Sequence, residues 1–275
     1  MKNYLKLVNF EINRFMKIYI VLIISTIILQ VVGLFFRSQS YLSEADHWIY
    51  DNQLPIEEFL GQYGPMSMHK FLNTLWFIGS VALCVVTLLI YVFFIWYRDW
   101  LGKNTFIYRL LMLPTNRLNI FLSKATAIFI FVLGLIALQL ILFPIESLLL
   151  TWLVPDELRL DMNLLQIMEY PFMFVLFPKT ILEFFINYGI GLIVVFVLFT
   201  FVLFERCYRL KGIFIGMVYV ALSFVVFISP IFLNILLDHY FYPIELFGFV
   251  VFTGLVVMTC SILTSYYLLN KKIRV

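Results

Sequence analysis

The sequence is poor in charge, and it has no nucleotide-binding glycine loop and no clustered metal ligands. Each of these absences removes a class of function. Only 13% of the 275 residues are Asp, Glu, Lys or Arg, whereas 63% are hydrophobic and 19% aromatic; soluble proteins carry about a quarter charged residues. A mean hydropathy of +1.01 excludes an ordinary soluble domain. No G-x-x-x-x-G-K-[ST] stretch occurs, so the chain has no usual cradle for nucleotide phosphates. His47, His69 and His239 form no H-E-x-x-H or other ligand spacing, and neither a G-x-S-x-G elbow nor a paired Asp-rich motif is found. The expectation is therefore no enzyme, no metal and no cofactor on this chain. Cys84, Cys207 and Cys260 are odd in number and show no C-x-x-C spacing, which makes them packing residues. No low-complexity tract or linker divides the sequence.

What the chain does have is long apolar runs. Six of them, at about 18 to 36, 71 to 97, 125 to 146, 181 to 204, 213 to 237 and 246 to 269, reach the roughly 20 residues a membrane-crossing helix needs. The predicted fold class is an all-α integral membrane protein, a single transmembrane domain over residues 1 to 275. The run at 18 to 36 is too long for a signal-peptide core and lacks a small-x-small cleavage site, so it counts as the first span. Ahead of it, Tyr4, Leu5, Val8, Ile12, Phe15 and Met16 recur at helical spacing, with Lys2, Lys6, Asn9, Asn13 and Lys17 largely elsewhere. This predicts an interfacial amphipathic helix over residues 1 to 17.

Charge orients the spans. Fifteen of the nineteen basic residues lie in the N-terminal segment, the connections after spans two and four, and the C-terminal tail with Arg274. The intervening loops hold ten acids, among them Glu44, Glu57, Glu58, Asp156 and Asp161, against Arg37, Lys70, Arg159 and Lys179. The positive-inside rule makes the basic side cytoplasmic and puts both termini there. Trp96, Tyr97, Trp100 and Trp152 fall where an aromatic belt belongs. The loops at about 37 to 70 and 155 to 180 are long enough for short surface helices. Pro230 interrupts the fifth span, so residues 231 to 249 read as two half-helices dipping into the membrane. Frequent Ile, Phe, Lys and Asn suggest an AT-rich bacterial genome, and the expected location of the multi-pass chain is the plasma membrane.

No charge falls at the centre of a span, which argues against a proton- or sodium-coupled carrier. At about 1.5 Å per residue, Glu146 lies roughly 30 Å from the inner start of span three, at the outer interface. Gln30 and Gln139 are the deepest strongly polar side chains and sit at one depth, as interhelical hydrogen-bond partners or as part of a pathway. Gly212-Ile-Phe-Ile-Gly216 opens span five with spacing for close helix approach, either across a dimer or within the monomer.

The most distinctive stretch is residues 98 to 124, a loop with five Lys or Arg against one acid between two apolar runs. Asp99, Gly102 and Thr105 precede a Leu-rich segment with Leu110 and Leu111, followed by Pro114, Arg117 and, at the head of span three, Lys124. Asn104 or Thr105 can cap a helix whose Phe106, Leu110 and Leu113 share a face, expected to turn outward as an apolar docking surface, and Pro114 stops it. These residues resemble the coupling loop of the permease subunits of type-2 ATP-binding-cassette (ABC-2) transporters. The departures are Asp in place of the commoner Glu, and Lys103-Asn104 between the Gly and the Thr.

The resemblance extends to the N-terminal helix, the six spans and the inside termini. It implies a permease of an ATP-driven exporter, paired with a second permease, homo- or heterodimeric, and with a separate ATPase that carries ATP and Mg. It further implies that residues 103 to 113 move with the ATPase and that spans one and five of two permeases form the pathway; apolar walls suit a lipid-like, peptide or amphipathic cargo. The rivals are a membrane sensor or immunity protein that binds ligand through its acidic loops, and an uncharacterised membrane enzyme. Reporter fusions after Val275 and within residues 43 to 53 are expected to report opposite sides of the membrane; both on the same side would end this topology.

Overall fold

The structure is a computed structural model that describes residues 2–51, 55–101, 106–112, 115–171, 173–238 and 240–273. In chain order the helices are α1 (Lys2–Asp46), α2 (Ile56–Tyr63), α3 (Met68–Leu72), α4 (Leu75–Trp100), α5 (Phe106–Leu111), α6 (Leu118–Leu153), α7 (Leu164–Met168), α8 (Ile181–Tyr208), α9 (Leu210–Leu236) and α10 (Pro243–Tyr267). Two short strands, β1 (Met66–Ser67) and β2 (Arg159–Leu160), pair in parallel with Met66 opposite Arg159. Helices α1, α4, α6, α8, α9 and α10 are each long and apolar enough to cross a bilayer. The chain is a multi-pass helical membrane protein, and its apolar side chains on α9 and α10, such as Leu222, Phe224, Phe252 and Leu255, stay exposed as lipid contact requires.

The chain folds as two compact units, one formed by Met1–Arg14, Leu88–Ile130 and Thr180–Val275, the other by Phe15–Thr87 and Phe131–Lys179. Helices α1, α4 and α6 contribute a segment to each.

In the first unit, α8, α9 and α10 pack as successive hairpins. Arg209 takes a left-handed backbone (φ 54°) to turn the chain between α8 and α9. The close approach that follows requires glycine: a Cβ on Gly212 would fall 2.0 Å from the Phe204 carbonyl oxygen, and one on Gly216 2.7 Å from the Phe201 ring. The Gly212/Gly216 face is therefore turned toward α8 of the same chain. Thr200, Ser261, Ser265 and Tyr219 bond one another between these helices, with Thr200 Oγ1 2.9 Å from Ser265 Oγ and Tyr219 Oη 2.8 Å from Ser261 Oγ. Trp96 is fully buried beside Phe121 and Phe199, inside an aromatic core rather than on an interfacial belt.

In the second unit, the two long loops fold into a compact cap. Phe59, Met66, Phe71 and Ile167 bury themselves with Leu34 and Tyr41 of α1 and Phe143 and Leu150 of α6. The Tyr41 hydroxyl reaches the Gly64 carbonyl at 2.8 Å and the Leu158 carbonyl at 3.2 Å, joining both loops to α1. Arg159 closes the end of α6 by donating to the carbonyls of Thr151 and Val154, each at 3.0 Å, so the last carbonyls of that helix are not left unpaired.

Three boundaries differ from the sequence expectation. Residues 2 to 17 are not a separate helix: they are continuous with the rest of α1, no Pro or Gly interrupting the chain before Gly33. Helix α6 continues through Pro144 to Leu153. Pro230 does not break α9, and residues 231 to 236 complete that helix instead of forming a half-helix. The carbonyl that Pro230 cannot bond is that of Val226, and the Ser229 hydroxyl donates to it at 2.8 Å, which is how a proline is accommodated inside a membrane helix.

Gly212→Leu is expected to lower the unfolding temperature of the detergent-purified protein by roughly 3 to 10 °C, since overpacking costs about 1 to 3 kcal/mol. Gly248→Leu should leave it unchanged, because nothing lies within 4 Å of the added Cβ. Thermal unfolding followed by intrinsic fluorescence distinguishes the two, and equal effects would contradict this packing.

Candidate functional site at the basic loop

The loop between α4 and α6 begins and ends in a buried ion network, all of it within the first unit. Glu11 comes from α1, Arg98 and Asp99 from the last turn of α4, and Lys124 from the second turn of α6. Lys124 and Asp99 are 0% exposed and Glu11 is 2% exposed. Lys124 Nζ donates to Glu11 Oε1 at 2.6 Å, to Asp99 Oδ2 at 2.5 Å and to the Ile95 carbonyl at 3.2 Å. An ammonium has three protons, and all three are used. Arg14 Nη1 donates to the other oxygen of Asp99 at 2.6 Å, and Arg98 Nη2 to the other oxygen of Glu11 at 3.0 Å. Each carboxylate thus bridges two cations, and three cations against two carboxylates leave one positive charge over.

The network continues into the loop by stacking. Phe10 and Phe106 lie 5.6 Å apart with nearly parallel rings, and the Arg14 guanidinium sits 5.0 Å from one ring centre and 5.1 Å from the other. Phe106 opens α5, so the chain of interactions runs from α5 through Arg14 and Asp99 to Lys124. Ile107, Leu110 and Leu111 are buried in the unit, whereas Tyr108, Arg109 and Met112 are exposed. This corrects the expectation of an outward apolar face containing Leu110: the six-residue helix needs that face to hold itself in place, and the opposite side is left open. Gly102, Thr105, Pro114 and Leu113 lie outside the described residues. Arg117 Nη1 donates to the carbonyls of Leu269 at 2.5 Å and Ile273 at 3.1 Å, fastening the end of the loop to the short π-helix, Leu268–Lys272, that follows α10.

A third acid of the basic segments is also tied down. Tyr97 donates to Glu205 of α8, and the Arg206 guanidinium lies 4.4 Å from the centre of the Tyr97 ring. The charged groups of this region are engaged with one another.

The second unit holds the buried glutamines. Gln30 Nε2 donates to Ser80 Oγ and to Gln139 Oε1, both at 2.9 Å, linking α1, α4 and α6. Gln30 Oε1 and Gln139 Nε2 have no hydrogen-bond partner among the described residues. Glu146 follows Gln139 by seven residues on the same face of α6. It is fully buried beneath the cap, and neither of its oxygens has a partner among the described residues.

Sequence reasoning missed Glu11, Arg14 and Arg98 as members of one site. A signal was present: Glu11, Asp99 and Glu205 are the three acids in the otherwise basic segments, and all three accept bonds from buried or half-buried partners. No protein-family model, curated protein or solved structure matches this chain.

Lys124→Met is expected to destabilise the protein by about 3 to 5 kcal/mol, because removing one partner strands a buried charge. The neutral triple variant Glu11→Gln, Asp99→Asn, Lys124→Met should recover most of that loss, since an uncharged site leaves far less unpaired charge. Denaturant unfolding in detergent measures both, and a triple variant no better than the single one would refute the network's role.

Proposed function

We propose that the chain is the membrane-spanning permease subunit of an ATP-driven ABC-2 type exporter, working with a second permease and a separately encoded ATPase. The observation that carries this reading is the stacked and ion-paired path from Phe106 of α5 through Arg14 and Asp99 to Lys124. A soluble motor can move membrane helices only if the element it pushes is held firmly by them. Here a short helix in a basic loop is attached to α1, α4 and α6 by charges buried in low dielectric, where small displacements are costly. The positive-inside distribution supports a cytoplasmic position for this loop.

In this reading the ATPase docks on the open side of α5, at Tyr108, Arg109 and Met112, and its ATP-driven motion passes through the ion network to the three helices. The substrate pathway is formed with the second permease, and the apolar surface of the spans suits an amphipathic cargo.

The test is co-purification from the native host. Tyr108→Asp with Met112→Asp places charge on the open side without disturbing the buried Ile107, Leu110 and Leu111. The double variant is expected to insert and fold with an unchanged unfolding temperature while losing an ATPase that the unaltered protein retains. An unaltered protein that brings down no ATPase would sink the transporter reading. In that case the folded cap of the second unit, with its acidic Glu57, Glu58 and Asp156, would favour a ligand-binding sensor.

A further inference from the structure

A groove of about 580 Å³ opens in the first unit where the head of α6 meets the end of α10. Its wall carries two cations, Arg117 and Lys271, together with the amides of Asn116 and Asn270, and it contains no acid. Arg117 spends Nη1 on the Leu269 and Ile273 carbonyls, which fixes the guanidinium in place. Its remaining nitrogens form no bond among the described residues. Lys271 lies with Nζ 5.5 Å from the centre of the Tyr267 ring and bonds no carboxylate among the described residues. The Thr115 hydroxyl, which also belongs to this wall, is buried without a hydrogen-bond partner among the described residues. A fixed guanidinium, a second cation, amide donors and a spare hydroxyl, with no carboxylate among the described lining residues, are the chemistry of an anion site, and a tetrahedral phosphate takes several such donors at once.

The position indicates which anion. Helix α10 has 25 residues and rises about 36 Å, slightly more than the roughly 30 Å hydrocarbon core. The groove at its C-terminal end therefore lies just beyond the acyl chains, at headgroup depth. Tyr266 and Tyr267 border it and are nearly half exposed, as aromatic side chains at a membrane surface are. Apolar residues on α10 such as Leu263 are exposed one turn deeper, giving an acyl chain a surface to follow.

We infer that this groove binds the phosphate of an anionic phospholipid, with Arg117 and Lys271 as the charged contacts, Thr115 and the two asparagines as further hydrogen-bonding groups, and Tyr266 and Tyr267 against the glycerol region. Juxtamembrane basic residues commonly attract acidic lipids; here the lysine and arginine are joined by a formed cavity with an unused buried hydroxyl.

Native mass spectrometry of the whole protein in detergent, given an equimolar mixture of phosphatidylglycerol and phosphatidylcholine, tests the site. The protein should retain phosphatidylglycerol in preference to phosphatidylcholine. Lys271→Gln, which leaves the Arg117 clamp intact, should reduce that retention roughly five-fold, the effect of removing one interfacial basic charge. Asn270→Asp, which brings a negative charge into the groove, should reduce it at least as much, and both variants should keep the unaltered unfolding temperature. Millimolar inorganic phosphate should fail to displace the lipid; displacement would move the site to a soluble phosphate source and overturn the lipid assignment. No preference between the two lipids, or retention by both variants equal to that of the unaltered protein, would overturn the site itself.

Discussion

The burial of Lys124 between Glu11 and Asp99 is the constraint on which the basic end of the molecule depends. An ammonium and two carboxylates removed from water each carry a desolvation cost of several kcal/mol, recovered only when geometry and hydrogen bonding are complete. Completion requires α1, α4 and α6 to hold their ends at fixed positions, because the three donors of one Nζ must reach two side chains and the Ile95 carbonyl together. Arg14 and Arg98 then satisfy the outer oxygens of the same acids. Such a network is a poor source of net stability, but it strongly penalises any other helix register.

The second unit uses neutral groups for a related purpose. Gln30, Ser80 and Gln139 form one hydrogen-bonded layer across three helices, where each bond contributes on the order of 0.6 to 2 kcal/mol in a membrane setting. The cap beyond it is held by ordinary aromatic and aliphatic burial, with Tyr41 and Arg159 supplying the polar joints between the two loops and the helices. The lipid-phosphate groove of the first unit follows from the same economy of donors: Arg117 uses one nitrogen to hold the chain end and leaves the rest of its fork available.

Much of the site's outline was legible in the sequence, and its wiring was not. Asp99, Arg117 and Lys124 stand out because a basic loop between apolar runs is rare in so uncharged a chain. Glu11 does not, since its partner Lys124 is 113 residues away and local spacing relates it only to Arg14. The spacing of Gly212 and Gly216 announces a close helix approach without naming the neighbour. Arg209 decides that, by turning α9 back against α8. Pro230 reads as an interruption because the compensating bond comes from Ser229, whose hydroxyl orientation no pattern reveals. Leu110 reads as a docking residue because amphipathicity shows that a helix has an apolar face but not whether the same chain already covers it.

The sequence by itself determined the membrane character, the six long helices and the segregation of basic from acidic connecting segments. These depend on the length and polarity of contiguous segments, properties that each segment carries wherever it lies. Tertiary structure alone decided which buried charges meet, which side of α5 remains open, what Gly212 and Gly216 touch, and that a groove with fixed cations forms between the loop and the end of α10. Those outcomes depend on short-range interactions, within about 3 Å for hydrogen bonds and ion pairs, between residues far apart in the chain, and only the folded arrangement brings them together.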